Sequence, residues 1–235
     1  MKLRTRLSMQ VASLCLLAAS SFAADNAYLN LVNAIPGKDV ANHVSPSYPV
    51  DVLISGLCLP RNLAFGTVSG PYSFAPGSYE VEISESNTLA PCTNPTIASL
   101  EVTLSAGETV TAVAQLSGGA PTLAQFGDDF LPVTAGDARF IFRQTAEAKL
   151  LTATLTQLGV SAPKTYSVTA GAGEQQAIQV PAGAYLVQVF FSGGSTVLVS
   201  KTIVIDDQSG AFTYAAGRSA NGSIDLVYRI VDGLY

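Results

Sequence analysis

The chain carries a single histidine, His43, in the stretch ANHVSPSYP, and that bounds its chemistry at once. A Ser-His-Asp triad needs an imidazole as base, and Ser45 and Ser47 stand close to His43 in sequence. The stretch has no G-x-S-x-G and reads as a proline-rich loop, so His43 is expected to be solvated and no catalytic residue is assigned. A zinc site would want two or three histidines or thiolates, and one histidine does not supply them. Cys58 and Cys92 have neither C-x-x-C spacing nor a neighbouring histidine. As an even pair they are expected to form a disulfide, whose loop of about 35 residues is worth roughly 3–4 kcal/mol in the chain-entropy model.

Carboxylates are the remaining candidates. Asp128-Asp129 and Asp206-Asp207 could each offer oxygens to calcium, and Asp206 and Asp207, in D-D-x-S-G, have the look of a loop site. Neither pair has the alternating D-x-[DN]-x-[DN]-G spacing, so a turn and a surface linker explain them with less, and no metal is expected. Glu80, Glu82 and Glu101 read as outward, solubilising residues rather than a glycosidase pair across a cleft. Gly171-Ala172-Gly173 lacks the third glycine of a dinucleotide loop, and no cofactor is implied. Asn221-Gly222-Ser223 matches a glycosylation sequon and also a favoured turn.

The elements that would position these residues are strands. Tyr79, Val81 and Ile83 alternate with Glu80, Glu82 and Ser84, Leu100, Val102 and Leu104 with Glu101, Thr103 and Ser105, and Val50, Val52 and Ile54 make a third run. Turn signals separate them, at Ala75-Pro76-Gly77, Ala106-Gly107-Glu108, Gly118-Gly119 and Asp206 to Gly210. TAEAKLLTATLTQL is the one segment that could be argued as a helix; Leu151, Ala153 and Leu155 alternating with Thr152, Thr154 and Thr156 favour a strand.

The amino terminus reads as a secretory signal peptide, residues 1–23, with Lys2, Arg4 and Arg6 before an apolar stretch and a small-residue site ending at Ala23. Val11 to Ala19 is too short to span a membrane, and Cys15 lacks a lipoprotein setting. Removing this leader leaves nine basic against 17 acidic residues, so the formal charge moves from −5 to −8. An acidic chain without a Lys/Arg cluster is no nucleic-acid binder and is repelled by anionic lipid. The expected compartment is periplasmic or extracellular.

FAPGSYEVEIS, from Phe74, returns at Val180 as VPAGAYLVQVF. Ala27 to Leu31 likewise overlays Ala138 to Phe142, the hairpin SLEVTLSAGETVTAVAQ overlays SKTIVIDDQSGAFTYAAG, and Thr122 to Phe126 overlays Ile224 to Tyr228. The expected fold is all-β, two tandem β-sandwich domains over residues 25–130 and 137–235, joined by a surface linker near Asp128 to Gly136. In the second, YLVQVFF is apolar on both faces: Tyr185, Val187 and Val189 point one way, Leu186 and Phe190 the other. Leu186 and Phe190 therefore mark a face that is covered by the first domain, by a loop or by its place inside the sheet, or else meets a partner protein.

LNLVNAIPG, PVDVLISG, NLAFGTVSGPYSFAPGSYEVEIS and SLEVTLSAGETVTAVAQL together resemble the bacterial exported domain-of-unknown-function 4397 family. Asn62 to Ile83 is the most specific part. The likeness covers about residues 27 to 128 and fades into the second domain, which keeps VPAGAYLVQVF without FGTVSG. KDVANHVSPSY replaces a short turn of the family pattern, and the Cys58/Cys92 pair is not part of it. The resemblance implies an immunoglobulin-like sandwich outside the cytoplasm and carries over no catalytic residue.

Three readings follow from these features. The first is a non-enzymatic exported protein for adhesion, envelope structure or protein binding. A calcium- or carbohydrate-binding module is the second, from the Asp pairs and the nine tyrosines. The third is a two-domain periplasmic assembly chaperone, in which Arg139 and Arg143 would hold a subunit's terminal carboxylate.

Overall fold

The computed structural model describes residues 25–37, 48–128 and 130–234. The expected leader, His43, Ser45, Ser47 and Asp129 lie outside the described residues. Among the described residues, sixteen strands make up the fold: β1 Ala27–Asn33, β2 Val50–Ile54, β3 Leu57–Cys58, β4 Thr67–Phe74, β5 Gly77–Glu85, β6 Thr96–Leu104, β7 Thr109–Ser117, β8 Ala120–Gly127, β9 Asp137–Gln144, β10 Leu151–Gln157, β11 Thr165–Ala170, β12 Gln175–Pro181, β13 Gly183–Phe191, β14 Val197–Ile205, β15 Gly210–Ala216 and β16 Asp225–Val231. Alternation decides their faces. Val81 and Ile83 are buried with Tyr79 packed beside them, and Leu151, Ala153 and Leu155 are fully buried, so the threonine-rich segment is strand β10.

Four sheets form two sandwiches that repeat one strand order. Sheets β4-β1-β7-β8 and β3-β2-β5-β6 enclose the first core, and β12-β9-β15-β16 and β11-β10-β13-β14 enclose the second. In both copies the first strand runs parallel to the seventh, β1 to β7 and β9 to β15. The immunoglobulin constant order is A-B-E-D over C-F-G; here the first strand lies between the fourth and the seventh, four strands over four. SLEVTLSAGETVTAVAQ is not a hairpin, because β6 and β7 belong to different sheets and residues 105–108 carry the chain from one to the other.

The repeated Pro-Gly-Tyr step has a physical basis. Gly77 and Gly183 take φ of +158° and +151°, a region that a Cβ disfavours, and each starts its strand. Two residues on, Tyr79 donates its hydroxyl to the Ala75 carbonyl at 2.8 Å and Tyr185 donates to the Pro181 carbonyl. Each tyrosine ties its strand to the chain four residues earlier. A second repeated device sits at the end of the first strand. Asn33 Nδ2 donates to the carbonyls of Tyr48 and Leu63 at 2.7 and 2.8 Å, and its Oδ1 accepts from the Ile35 amide. Gln144 does the same in the second copy, donating to Ala148 and Lys149 and accepting from Ala146. These buried amides satisfy the backbone where the chain leaves the sheet.

A third core joins the copies. Val32, Val113 and Phe126 of sheet β4-β1-β7-β8 pack with Ile141, Phe212, Tyr214 and Val227 of sheet β12-β9-β15-β16. β15 is buried along its whole length and β7 along most of it, because these strands face a core on both sides. The four sheets thus stack as layers, with β3-β2-β5-β6 and β11-β10-β13-β14 outermost.

Candidate functional site

Arg143, on β9, is fully buried in the seam between the two inner sheets. Its Nη2 donates to Asp128 Oδ1 at 2.8 Å and to the Gly127 carbonyl at 2.9 Å, Nη1 donates to the Tyr214 hydroxyl at 2.8 Å, and Nε donates to Gln175 Oε1 at 3.1 Å. The guanidinium also lies about 5 Å from the ring centres of Phe126, Phe212 and Tyr214. Asp128 receives Asn30 Nδ2 at 2.9 Å and the Thr111 hydroxyl at 2.8 Å. Burial pushes the Tyr214 hydroxyl above its ordinary pKa, with the Arg143 charge working the other way.

This geometry corrects two expectations. Asp128 is not a surface linker acid: its side chain is 2% exposed and serves as counter-ion to Arg143. The carboxylate that Arg143 holds belongs to its own chain, so the guanidinium is not open to a subunit's terminus. Arg139 lies four residues earlier on the same strand and is half-buried.

Asp206 and Asp207 form the turn between β14 and β15. The Asp207 carboxylate accepts the Gly136 amide at 2.6 Å, and Asp206 offers its backbone carbonyl to the Ser209 hydroxyl. Among the described residues, no three His, Cys, Asp or Glu side chains gather as a metal-ion site.

Cys58 and Cys92 are disulfide-bonded, with Cα atoms 5.9 Å apart. The bond ties β3 to the 86–95 loop beside a buried carboxylate that sequence reading passed over. Asp51 points away from the first core on β2, and two loops close over it: Oδ1 accepts the Asn62 amide at 2.8 Å and the Ser86 hydroxyl at 3.1 Å, Oδ2 the amides of Asn87 and Cys92 at 3.0 and 2.9 Å. Burial alone would raise its pKa, but the amides of Cys92, Asn62 and Asn87 and the Ser86 hydroxyl outweigh it and hold the carboxyl below its ordinary value. The available signal was an acid inside a run of apolar strand residues.

Leu186 and Phe190 lie half-buried on the outer face of sheet β11-β10-β13-β14, away from the first sandwich. The apolar surface that the first sandwich covers belongs instead to β9 and β15. Cross-strand pairing sets Thr156 beside Leu186, Thr154 beside Gln188 and Thr152 beside Phe190, with Thr165, Ser167 and Thr169 on one flank and Ser200 and Thr202 on the other. None of these side chains is charged. Thr152, Thr154, Phe190, Phe191, Gly193 and Gly194 line a shallow groove of about 240 Å³. The matching outer face of the first sandwich carries Glu80, Glu82 and Glu101.

Fold and geometry together define a tandem β-sandwich protein with a fixed seam and two chemically different outer faces. A family model described as "Domain of unknown function (DUF4397)" matches residues 27–154, and the chain belongs to that family. The match runs past the first sandwich into β9 and β10 of the second. No curated protein matches the chain. Among solved structures it is similar to the Bacillus anthracis TIE protein at 12% identity and a TM-score of 0.23, with 78% of this chain covering 32% of that one, about a third of its length. It is also similar to a cell adhesion candidate from Bacteroides uniformis (8% identity, TM-score 0.29, 88% and 98% covered) and an adhesin candidate from Bacteroides ovatus (11%, 0.26, 91% and 97%). TM-scores of this size carry no functional inference.

Proposed function

We propose that the protein is an exported, non-enzymatic binding module of the cell envelope or exterior. The four-sheet stack is its rigid scaffold, and the Leu186/Phe190 face is its docking surface for protein. The observation that carries this reading is the uncharged, partly apolar outer face of β11-β10-β13-β14 on a chain of net charge −5. A sheet face that serves only solubility is expected to look like its acidic counterpart in the first sandwich, and this one does not. The Cys58–Cys92 disulfide suits an oxidising compartment, in keeping with export. Among the described residues, no helix is long and apolar enough to cross a membrane.

The test is a pull-down from the native envelope fraction with tagged protein, in parallel with a Leu186→Lys/Phe190→Lys variant of unchanged melting temperature. A protein held by the wild type and lost by the variant is the expected result. Equal capture by both would remove the face from the function, and turnover of ester, glycoside or peptide substrates by the purified protein would overturn the non-enzymatic reading.

A further inference from the structure

The four strands of sheet β11-β10-β13-β14 contain one charged residue, Lys201. It stands in VLVSKTIVI, strand β14, which ends the sheet. β13 pairs with one side of β14, and among the described residues no hydrogen bond runs from the backbone of its other side. An open edge of this kind is a template on which another chain can add a strand. Apart from Lys201 the segment consists of Val, Leu, Ile, Ser and Thr, with no proline and no glycine, a composition that pairs readily with its own kind. Val197 and Val204 are 42% and 56% exposed.

The lysine sits where it interrupts that template. It is the fifth of the nine residues, so in a fully overlapped antiparallel pair of two β14 strands each Lys201 faces the other, and like charges directly opposite are unfavourable. It also points inward. Its cross-strand partner Val187 is fully buried, and Ile203 and Ile205, on the same face of β14, are buried as well. From that face the ammonium reaches Asp225 Oδ1 on β16, the edge strand of the facing sheet, at 2.9 Å. An inward-pointing charge on an edge strand is desolvated when a further strand is added beside it, which opposes the addition.

Neither the fold nor its stability accounts for this lysine. Counted from the equivalent pairs, Gly77 with Leu104 and Gly183 with Ile205, the matching position in the first sandwich is Leu100, opposite Val81 and packed against the first core. The Lys201 and Asp225 side chains are 36% and 38% exposed, and an ion pair so open to water adds little to stability. The first sandwich guards its corresponding edge by other means, since Glu101 on β6 lies opposite Glu80 on an acidic outer face. The second has no such face, and Lys201 is the charge that remains.

We infer that Lys201 is a gatekeeper: its charge keeps the β14 edge from adding the β14 strand of a second copy of this chain. A strand edge is complementary to itself in the antiparallel sense, so the contact that is blocked is two-fold and needs no other partner. The inference does not depend on what the Leu186/Phe190 face binds.

Sedimentation velocity on the purified protein from about 1 to 500 µM, read together with hydrogen exchange of the β14 amides, tests this. Lys201→Leu, which copies Leu100, and Lys201→Thr are each expected to associate about tenfold or more tightly than the wild type, with β14 amides gaining protection in the associated form. Lys201→Arg keeps the charge and Asp225→Asn removes only the ion pair, and both are expected to behave as the wild type does. Melting curves establish that each variant is folded. Lys201→Leu and Lys201→Thr proteins that associate no more than the wild type overturn the inference, as does a wild type whose β14 amides are already protected by association. Association of Asp225→Asn equal to that of Lys201→Leu would assign the effect to the ion pair, and association of Lys201→Leu without added protection in β14 would assign it to another surface; either result overturns the gatekeeper role.

Discussion

Asp128→Asn probes the seam most directly. The substitution keeps the shape of the side chain and removes the charge facing a fully buried guanidinium. Arg143 keeps the Tyr214 hydroxyl, the Gly127 carbonyl, Gln175 and three aromatic rings, all neutral groups. Leaving one member of a buried ion pair uncompensated costs about 3–5 kcal/mol. For a chain of this size that lowers Tm by roughly 6–20 °C. Arg143→Met fills similar volume without charge, so the double variant Arg143→Met/Asp128→Asn is expected to recover most of the loss, with a coupling energy of about 2 kcal/mol or more. Urea unfolding of the four proteins at pH 7 closes the cycle. Because the pair is buried, the loss persists in 1 M NaCl, where the screening length is about 3 Å. A coupling energy under about 0.5 kcal/mol, or a loss that salt abolishes, would refute the seam as the lock between the sandwiches.

Three further outcomes follow from local geometry. Asp51 has a depressed pKa, so its contribution is complete above the unfolded value of about 4 and is lost as pH falls through the folded value; unfolding curves from pH 6 to pH 2 should show a slope that Asp51→Asn flattens. Tyr185 is pushed up to about 12 by burial first, then by Tyr166 and Asp137, so its contribution is complete below about pH 10 and fades as pH rises toward 12; absorbance at about 295 nm should show a group of late-titrating phenols, Tyr214 among them, that Tyr185→Phe reduces by one. Gly217 has φ +96° and a Cβ there would stand 2.3 Å from the Ser223 carbonyl oxygen, so Gly217→Ala should cost more than about 2 kcal/mol by urea unfolding, whereas Gly107→Ala, with open space around it, should cost less.

Strand identity was legible because period-two alternation reports directly on burial, and the repeat of Pro-Gly-Tyr fixed which strands correspond. Sheet membership was not: nothing in SLEVTLSAGETVTAVAQ distinguishes a hairpin from a turn that crosses between sheets, since both need the same glycine-containing turn. Asp128 was misread for a related reason. Composition places an acid near Pro and Gly on the surface, and its partner Arg143 sits in the other sandwich, where no local pattern links them. Asn33 and Gln144 escaped notice because different amides at matching positions do one job, which a comparison of residue types cannot see.

The duplication separates what the fold needs from what has been added to it. Both copies keep the glycine that starts the fifth strand, the tyrosine that ties it back, the buried amide at the end of the first strand and the parallel pairing of first and seventh strands. In both copies each of these satisfies backbone or core geometry at the same place in the strand order. The copies part company at the outer face of the second strand, where Asp51 and its loops in one answer to Thr152 and a bare groove in the other. The cystine and the Asp51 hub add stability to the first copy, while the second folds around a complete core without them, so the strand order itself does not depend on them.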